Sequence, residues 1–202
     1  NAYAAGTLNV TAYQRLCGAL SLAVDAVNYP TFTQTFSYAA HTMTGTLSVS
    51  NGTVIANNSA TFKSVPELHI GSGGALQMAG STSAFAGVTN LVVDGQLTFD
   101  STALTPLPTD HTTDVRLGGS AELTLPAGMT LRVKTLTIDG VNFDNGTYAC
   151  GGAIAQLKGA GSILVDNGEE EVIDAVWTGA GGDTHVSTVA NWSDTGVPSA
   201  LM

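Results

Sequence analysis

The hydrophobic residues of this chain follow a pattern that returns every 21 to 27 residues. Each copy has two aliphatic residues separated by one variable residue, and a polar residue stands before the first of them. The second aliphatic positions are Val24, Val49, Ile70, Val93, Leu117, Ile138 and Val165. The first aliphatic positions are Leu22, Leu47, Leu68, Leu91, Val115, Leu136 and Ile163. Because alternate side chains of a strand point to opposite faces, this pattern predicts short β-strands with one buried side.

A turn follows each of these strands, and a second strand follows most of the turns. The turns are rich in Gly, Asn and Asp, which accept the backbone angles of sharp corners. Asp94-Gly95 and Asp139-Gly140 are two of them. An Asp-Gly pair between two strands is also typical of an antiparallel hairpin, which would give a β-sandwich or barrel. The two strands recur together as a unit of about 23 residues, and this favours a solenoid.

We therefore predict an all-β fold, a right-handed parallel β-helix (solenoid) of about seven coils of 21–27 residues. The stretch 136–143 is the prototype of the coil. The residues expected to be buried in this copy and in an earlier one are Leu91, Val93, Leu136 and Ile138. Val92 and Thr137 lie between them and are expected to face outward.

The composition changes along the chain and predicts three segments. Residues 1–20 form an N-terminal partial coil or cap, with a helical turn around residues 12–19 as one option. Residues 21–166 form the β-helix repeats. Residues 167–202 form an acidic link and the start of a following module that contains both tryptophans. Since the sequence begins at Asn1 without an initiator Met or a signal peptide, we expect a processed form or a fragment.

The net charge of −10, with only six Lys and Arg residues, excludes two classes of partner. Nucleic-acid binding requires clustered basic residues that neutralise phosphates, and an anionic membrane surface requires them equally. No apolar run approaches the ~20 residues of a membrane-spanning helix. With 44% hydrophobic and 11% charged residues, the chain is typical of a patterned, β-rich extracellular protein with a polar, mostly uncharged surface.

Two stretches toward the C-terminus add to the simple repeat. One is Asp139-Gly-Val-Asn-Phe-Asp-Asn-Gly-Thr-Tyr148, which continues to Val165, and the other is the pattern Trp177…Asn191-Trp192…Pro198. Together they resemble the autotransporter-associated β-strand repeats of large bacterial surface and secreted proteins. The resemblance implies a parallel β-helix passenger or stalk on a bacterial cell surface or in the medium. It also implies adjacent modules of the same polypeptide as partners, and it carries over no catalytic residues.

Acidic residues recur at the turns and raise the question of a metal site. The turn aspartates are Asp25, Asp94, Asp139 and Asp166. Stacked carboxylates can bind Ca²⁺ or act as acid and base, but Asp is also a preferred turn residue, and we favour that interpretation. Asp110, His111 and Asp114, around a proline-bearing loop, could supply further oxygen and imidazole ligands, although a full site needs more of them. We expect no cofactor, with Ca²⁺ as the alternative.

A second group of side chains has the chemistry of a glycan-binding surface. His69 and Arg116 fall two copies apart in the outward position of the strand, and acidic residues stand beside them. Trp177 and Trp192 offer aromatic rings. Such a group could contact a polysaccharide or a cell-surface glycan; the alternative is an ordinary solvated sheet face.

These observations give two hypotheses for the function. The first is a non-catalytic structural or adhesive β-helix module of a large bacterial secreted or cell-surface protein, with glycan binding as an option. The second is a polysaccharide-degrading β-helix enzyme, a lyase or a glycoside hydrolase, or its carbohydrate-binding accessory domain. Such hydrolases need paired carboxylates on a groove with basic or aromatic walls. Aromatic residues are only 6% of the chain and both Trp lie outside the coils, which favours the first hypothesis.

Overall fold

The structure is a computed structural model that describes residues 7–10, 16–28, 31–37, 41–57, 62–79, 85–100, 112–168, 177–185 and 188–192. The chain divides into two compact units, Asn1–Gly168 and Glu169–Met202. In these described ranges the first unit has strands and turns, and the second has one short 3₁₀ helix, Val189–Asn191. The prediction of an all-β fold is confirmed. No helix in the described ranges is long and apolar enough to cross a lipid bilayer.

Seventeen strands are described in the first unit. They are β1 Thr7–Val10, β2 Cys17–Gly18, β3 Leu22–Asp25, β4 Thr33–Ser37, β5 Thr42–Met43, β6 Leu47–Asn57, β7 Glu67–Ala79, β8 Asn90–Val93, β9 Gln96–Phe99, β10 Asp114–Leu117, β11 Glu122–Leu125, β12 Thr130–Val133, β13 Thr135–Ile138, β14 Val141–Phe143, β15 Gly146–Ala149, β16 Leu157–Gly159 and β17 Ser162–Val165. Most of them pair in parallel with the strand of the next copy of the repeat, some 21 to 26 residues away.

Six parallel strands stack to form one side of the first unit, which we call the first face. They are β3, residues 47–49 of β6, residues 67–70 of β7, β8, β10 and β13. Their register aligns one aliphatic row, Leu22, Leu47, Leu68, Leu91, Val115 and Leu136. From Leu47 onward the residues of this row are at most 2% exposed. The aliphatic column predicted from the sequence is therefore confirmed for six copies.

A second face runs alongside the first. It consists of β1, β4, residues 53–57 of β6, residues 75–79 of β7, β9, β11 and β16. Its buried row is Val54, Leu76, Leu97, Leu123 and Leu157. The buried residues of both faces belong to one hydrophobic cluster, so the two faces share a core. The prediction of a β-solenoid is confirmed, with about four turns.

The prediction of seven coils is wrong, because the last two copies of the pattern do not continue the coils. The seventh copy, β17, pairs with β12 instead of the first face. Ile163 lies beside Leu131 and Val165 beside Val133. The aliphatic residues of β17 are buried, as the pattern predicts, but they fill another side of the core. Alternation of apolar and polar residues specifies a strand with one buried side, but it does not specify the face of the solenoid on which that strand lies.

The sixth copy, which is the prototype of the coil in the sequence, ends in an antiparallel hairpin. β13 and β14 pair with Ile138 opposite Val141, so their loop is only Asp139-Gly140. Both loop residues have positive φ, 49° at Asp139 and 79° at Gly140, as in a type I′ hairpin turn. The expected solenoid corner is therefore wrong at this position. The hairpin alternative holds here, while parallel coils hold for the turns before it.

The positions that the sequence assigned to the core of two copies are confirmed. The buried residues are Leu91, Val93, Leu136 and Ile138. Val92 and Thr137, which lie between them, are partly exposed. The alternation predicted for a half-buried strand is present in both copies, including the one that continues into the hairpin.

The helical option near the N-terminus is wrong where the structure describes this region. Residues 12–15 lie outside the described residues. Cys17–Gly18 is the strand β2, and it pairs in parallel with β5. This short pair is a two-stranded sheet of its own, separate from the sheet that contains the two faces.

Candidate functional site

His69 and Arg116, the glycan-contact candidates, lie in one outward row of the first face. Val92 lies between them in the register, so two strand spacings separate them, as the sequence predicted. Nε2 of His69 lies 3.6 Å from Oδ2 of Asp94 at the next corner, and both side chains are more than a third exposed. Such an exposed pair contributes little to stability. His69 is thus directed toward a carboxylate of the solenoid itself.

Two carboxylates occupy the row beside these residues. The hydroxyl of Thr46 donates a hydrogen bond to Oε2 of Glu67 at 3.3 Å. The hydroxyl of Thr135 donates one to Oδ1 of Asp114 at 2.7 Å. Each bond joins neighbouring strands in the manner of a cross-strand pair on a solvated sheet. On the solvent side of the first face, His69, Glu67 and Asp114 are therefore each engaged with a side chain of a neighbouring copy of the repeat.

Of the three metal-ligand candidates around the proline-bearing loop, the structure describes Asp114. Asp110 and His111 lie outside the described residues, and Asp114 begins β10. Across the described ranges, no group of three or more His, Cys, Asp or Glu side chains converges as metal ligands do. Binding of Ca²⁺ by side chains of this loop stays a prediction.

The four turn aspartates do not form one stack. Oδ1 of Asp25 accepts a hydrogen bond from the side chain of Asn51 at 2.7 Å. Asp94 faces His69, whereas Asp139 lies in the hairpin turn. Asp166 follows β17 and is 3.2 Å from Arg132. The interpretation of these residues as turn formers agrees with their separate surroundings.

In the second unit, Trp177 and Trp192 come together. They form an isolated antiparallel bridge, and their rings meet edge to face with centroids 5.3 Å apart. Trp177 is 40% exposed, so one ring presents part of its surface to water. The sequence grouped these residues as candidates, and the structure brings them into contact.

A buried amide, Asn191, organises the loop between the two tryptophans. Its side-chain nitrogen donates to Oδ1 of Asp183 at 2.8 Å and to the carbonyl of His185 at 3.2 Å. Its side-chain oxygen accepts from the backbone of Gly181 at 2.7 Å. The His185 backbone N–H and the Thr188 hydroxyl, which also bond Asp183, lower the pKa of its carboxyl. The sequence showed Asn191 only as part of the Asn-Trp phrase, and its role depends on contacts across the loop.

A groove that the sequence analysis missed lies where the solenoid ends, in the first unit. We call it the terminal groove; its volume is about 290 Å³. The groove is lined by Lys134, Thr135, Phe143, Asp144, Asn145, Val165 and Asn167. Residues from β13, β14 and the end of β17 meet there because β14 reverses the chain direction. The signal in the sequence was the Asn-Phe-Asp-Asn phrase, but its position depends on the unpredicted hairpin.

Hydrogen bonds and ring contacts hold the walls of the terminal groove. The side-chain nitrogen of Asn145 donates to Oδ1 of Asn167 at 2.8 Å, and the backbone of Asn167 donates to Oδ1 of Asn145 at 3.3 Å. Phe143 meets Tyr148 edge to face at 5.0 Å. The Tyr148 hydroxyl in turn donates to the carbonyl of Asp144 at 2.8 Å. The groove therefore combines a fixed aromatic ring with amide, carboxylate and ammonium groups.

In comparisons with models of protein families, with curated proteins and with solved structures, no match to this chain was found.

Proposed function

We propose that this chain is a structural β-solenoid module of a large secreted or cell-surface protein, in which it serves as a rigid spacer. The observation that carries this proposal is the in-register first face, which continues through six parallel strands from β3 to β13. In such a stack every inner strand is hydrogen-bonded on both sides, and each aliphatic row packs on its own kind. A continuous ladder of this kind resists bending along the stack.

The spacer proposal is tested by the distance between labels on the outward row. Ala23 and Thr137 stand at the two ends of this row, separated by five strand spacings of ~4.8 Å, or about 24 Å between their Cα atoms. We expect spin labels at these positions, with both native cysteines replaced by Ser, to give one narrow distance distribution by electron paramagnetic resonance. A control pair at Ala23 and Arg116 is expected to be shorter by one strand spacing. A broad distribution, or equal distances for the two pairs, would contradict the proposal.

A second function, glycan binding, is favoured by the terminal groove. The side-chain amides of Asn145 and Asn167 can donate to and accept from sugar hydroxyls, the Asp144 carboxylate can accept, and the Lys134 ammonium can donate. A partly exposed ring such as Phe143 can face the C–H surface of a sugar. The volume lies at the lower end of ligand pockets, which suits a single sugar unit of a longer chain. The net charge of −10 disfavours acidic polysaccharides. We therefore propose a neutral saccharide as the ligand.

Titration with neutral oligosaccharides, followed by NMR shifts, tests this second function. We expect shifts to concentrate around Phe143 and Asn145, and the Lys134→Ala variant to weaken binding. Lys158→Ala is the matched control, because Lys158 is exposed on the second face. Equal affinity of the two variants would remove the groove from the proposal. An assay for new reducing ends or unsaturated products accompanies the titration, and turnover would favour the polysaccharide-degrading alternative.

A further inference from the structure

His41 is a buried histidine at the end of an aromatic column inside the solenoid. Its side chain is only 2% exposed. The ring stacks on Phe62, with centroids 4.5 Å apart, and meets the edge of Phe36 at 5.4 Å. Phe62 stacks in turn on Phe85 at 5.4 Å. The imidazole thus occupies a position that phenyl rings fill in the following coils.

One ring nitrogen of His41 bonds to the segment before β2, and the other has no hydrogen-bond partner among the described residues. Nδ1 accepts a hydrogen bond from the backbone N–H of Leu16 at 3.3 Å. The next residue, Thr42, donates its own N–H to the carbonyl of Leu16 at 2.8 Å. These two bonds connect the segments that lead into β2 and β5. Nε2 is buried, and no described residue bonds to it.

This arrangement fits the neutral imidazole and conflicts with the charged one. Because Nδ1 accepts from Leu16, the neutral ring carries its proton on Nε2. A second proton would sit on Nδ1, where it would face the Leu16 N–H, so two donors would oppose each other. The added charge would lie between phenyl rings, and a cation–π contact offsets only part of the loss of water. Protonation and the Leu16 bond are therefore mutually exclusive.

No nearby charge relieves this conflict in the described parts of the surrounding segments. β4 and β5 contain no titratable side chain. Among the described residues, the titratable neighbours of the contacting residues are Cys17, next to Leu16, and Lys63, next to Phe62, and both are exposed. Arg15, which precedes Leu16, lies outside the described residues. Burial alone lowers the pKa of His41 below its ordinary value.

We propose that His41 makes the first coils of the solenoid acid-sensitive. When its ring is protonated, Leu16 is released from Nδ1 and β2 separates from β5, while the later coils stay folded. The folded state holds the ring neutral, and the unfolded chain titrates near pH 6.5. Because the folded pKa is the lower one, the stabilisation is complete above about pH 6.5 and is lost as the pH falls toward the folded pKa. Mild acid would thus open one end of the module and leave the rest rigid.

Hydrogen exchange at pH 7.5 and pH 5.0 tests the proposal. Protection factors are compared, since they correct for the pH dependence of intrinsic exchange. We expect protection in residues 16–25 and 41–49 to fall several-fold at pH 5.0, and protection in residues 114–138 to stay the same. His41→Phe keeps the aromatic column and cannot titrate, so its protection is expected to be equal at the two pH values. His69→Gln, which changes an exposed histidine, is expected to respond as the unmodified protein does.

Three outcomes would overturn the proposal. They are equal protection of the first coils at both pH values in the unmodified protein, an unchanged acid response in His41→Phe, and a loss of protection throughout the chain. If His41→Phe does not fold, His41→Gln replaces it, because its amide oxygen can accept from Leu16 without titrating. The NMR titration of the His41 ring gives an independent check. A ring that titrates at or above the ordinary histidine pKa would contradict the proposal whatever the exchange data show.

Discussion

Two Asp-Gly pairs follow the same aliphatic phrase in this protein and send the chain in opposite directions. After Val93, the pair Asp94-Gly95 turns a corner of the solenoid, and the chain continues into β9 on the second face. After Ile138, the pair Asp139-Gly140 reverses the chain, and β14 pairs back on β13. The comparison shows that residues beyond the turn decide between a coil and an end of the stack.

The positions of the apolar residues after the glycine explain why one turn is a corner and the other a hairpin. Leu97 and Phe99 stand two and four positions after Gly95, and they are 1% and 3% exposed. At the same offsets from Gly140 stand Asn142 and Asp144, both exposed. A corner at this second position would direct an amide and a carboxylate into the core, which is costly without partners. The hairpin avoids that burial.

The two glycines serve different purposes. A Cβ on Gly95 would overlap the carbonyl oxygens of Gly71 and Gly74, so glycine is needed there for close stacking of corners. Gly140 has open space around it but a φ of +79°, a conformation that costs an L-residue about 1 kcal/mol or more. One glycine is required by its neighbours in the stack and the other by its own backbone.

The reversal closes an edge of the solenoid. β14 covers β13 at the end of the first face, and β15 pairs antiparallel with β17 in the separate sheet formed by β12, β17 and β15. An exposed parallel edge would offer unpaired backbone groups to another chain, and antiparallel strands that fold back on it prevent this. The hairpin region is therefore the cap of the stack and also forms part of the terminal groove.

The largest difference between two matched variants is expected when aspartate is placed two positions after each glycine. Leu97→Asp puts an unpaired carboxylate into the shared core, and we expect it to lower the free energy of unfolding by at least about 4 kcal/mol or to prevent folding. Asn142→Asp at the matched position keeps an acceptor for the Thr137 hydroxyl, so a change below about 0.5 kcal/mol is expected. Urea denaturation followed by circular dichroism measures both. Similar losses in the two variants would refute the explanation from the positions of the apolar residues.

Alanine at the two glycines is expected to give a smaller contrast. Gly95→Ala forces backbone carbonyls of the preceding coil to move, and we expect a loss of about 3 kcal/mol. Gly140→Ala meets no neighbour and has only its backbone conformation against it, so a loss of about 1 kcal/mol is expected. The same denaturation curves give both values. A larger loss for Gly140→Ala than for Gly95→Ala would show that the solenoid corner at Gly95 tolerates separation of its stacked strands.

The sequence predicted the strands and their buried sides well, because alternation is a local property. It predicted the first face for the same reason, since copies of one phrase pair in register, as Leu68 does with Leu91. The hairpin could have been foreseen from Asn142. This residue is polar, whereas the residue at the same distance from the glycine in the earlier copy is the buried Leu97. The pairing of β17 with β12 could not have been foreseen, because nothing in Ser162–Val165 encodes the partner strand.

The candidate sites were harder to predict than the fold. His69 and Arg116 were placed correctly in one row, but the Asp94 partner of His69 depends on how adjacent corners align. The terminal groove depends on the hairpin and was missed altogether. His41 carried no signal, because its stacking partner Phe62 comes from the next coil and not from the local sequence.

The smallest effect is expected at the aspartates of the two turns. Asp139 has a φ of 49°, and Asn is favoured in that conformation at a type I′ turn. We expect Asp139→Asn to leave the free energy of unfolding unchanged or to raise it by a few tenths of a kcal/mol. Asp94→Asn removes the carboxylate that faces the exposed His69 ring, and the two side chains carry opposite charges only when His69 is protonated, so a loss of at most about 0.5 kcal/mol is expected. High salt screens exposed charges, and it should therefore remove the loss at Asp94 without altering the effect at Asp139. A salt-independent loss in Asp94→Asn would mean that this carboxylate stabilises the corner through hydrogen bonds. The two turns would then differ in the interactions of their aspartates as well as in the positions of the apolar residues that follow.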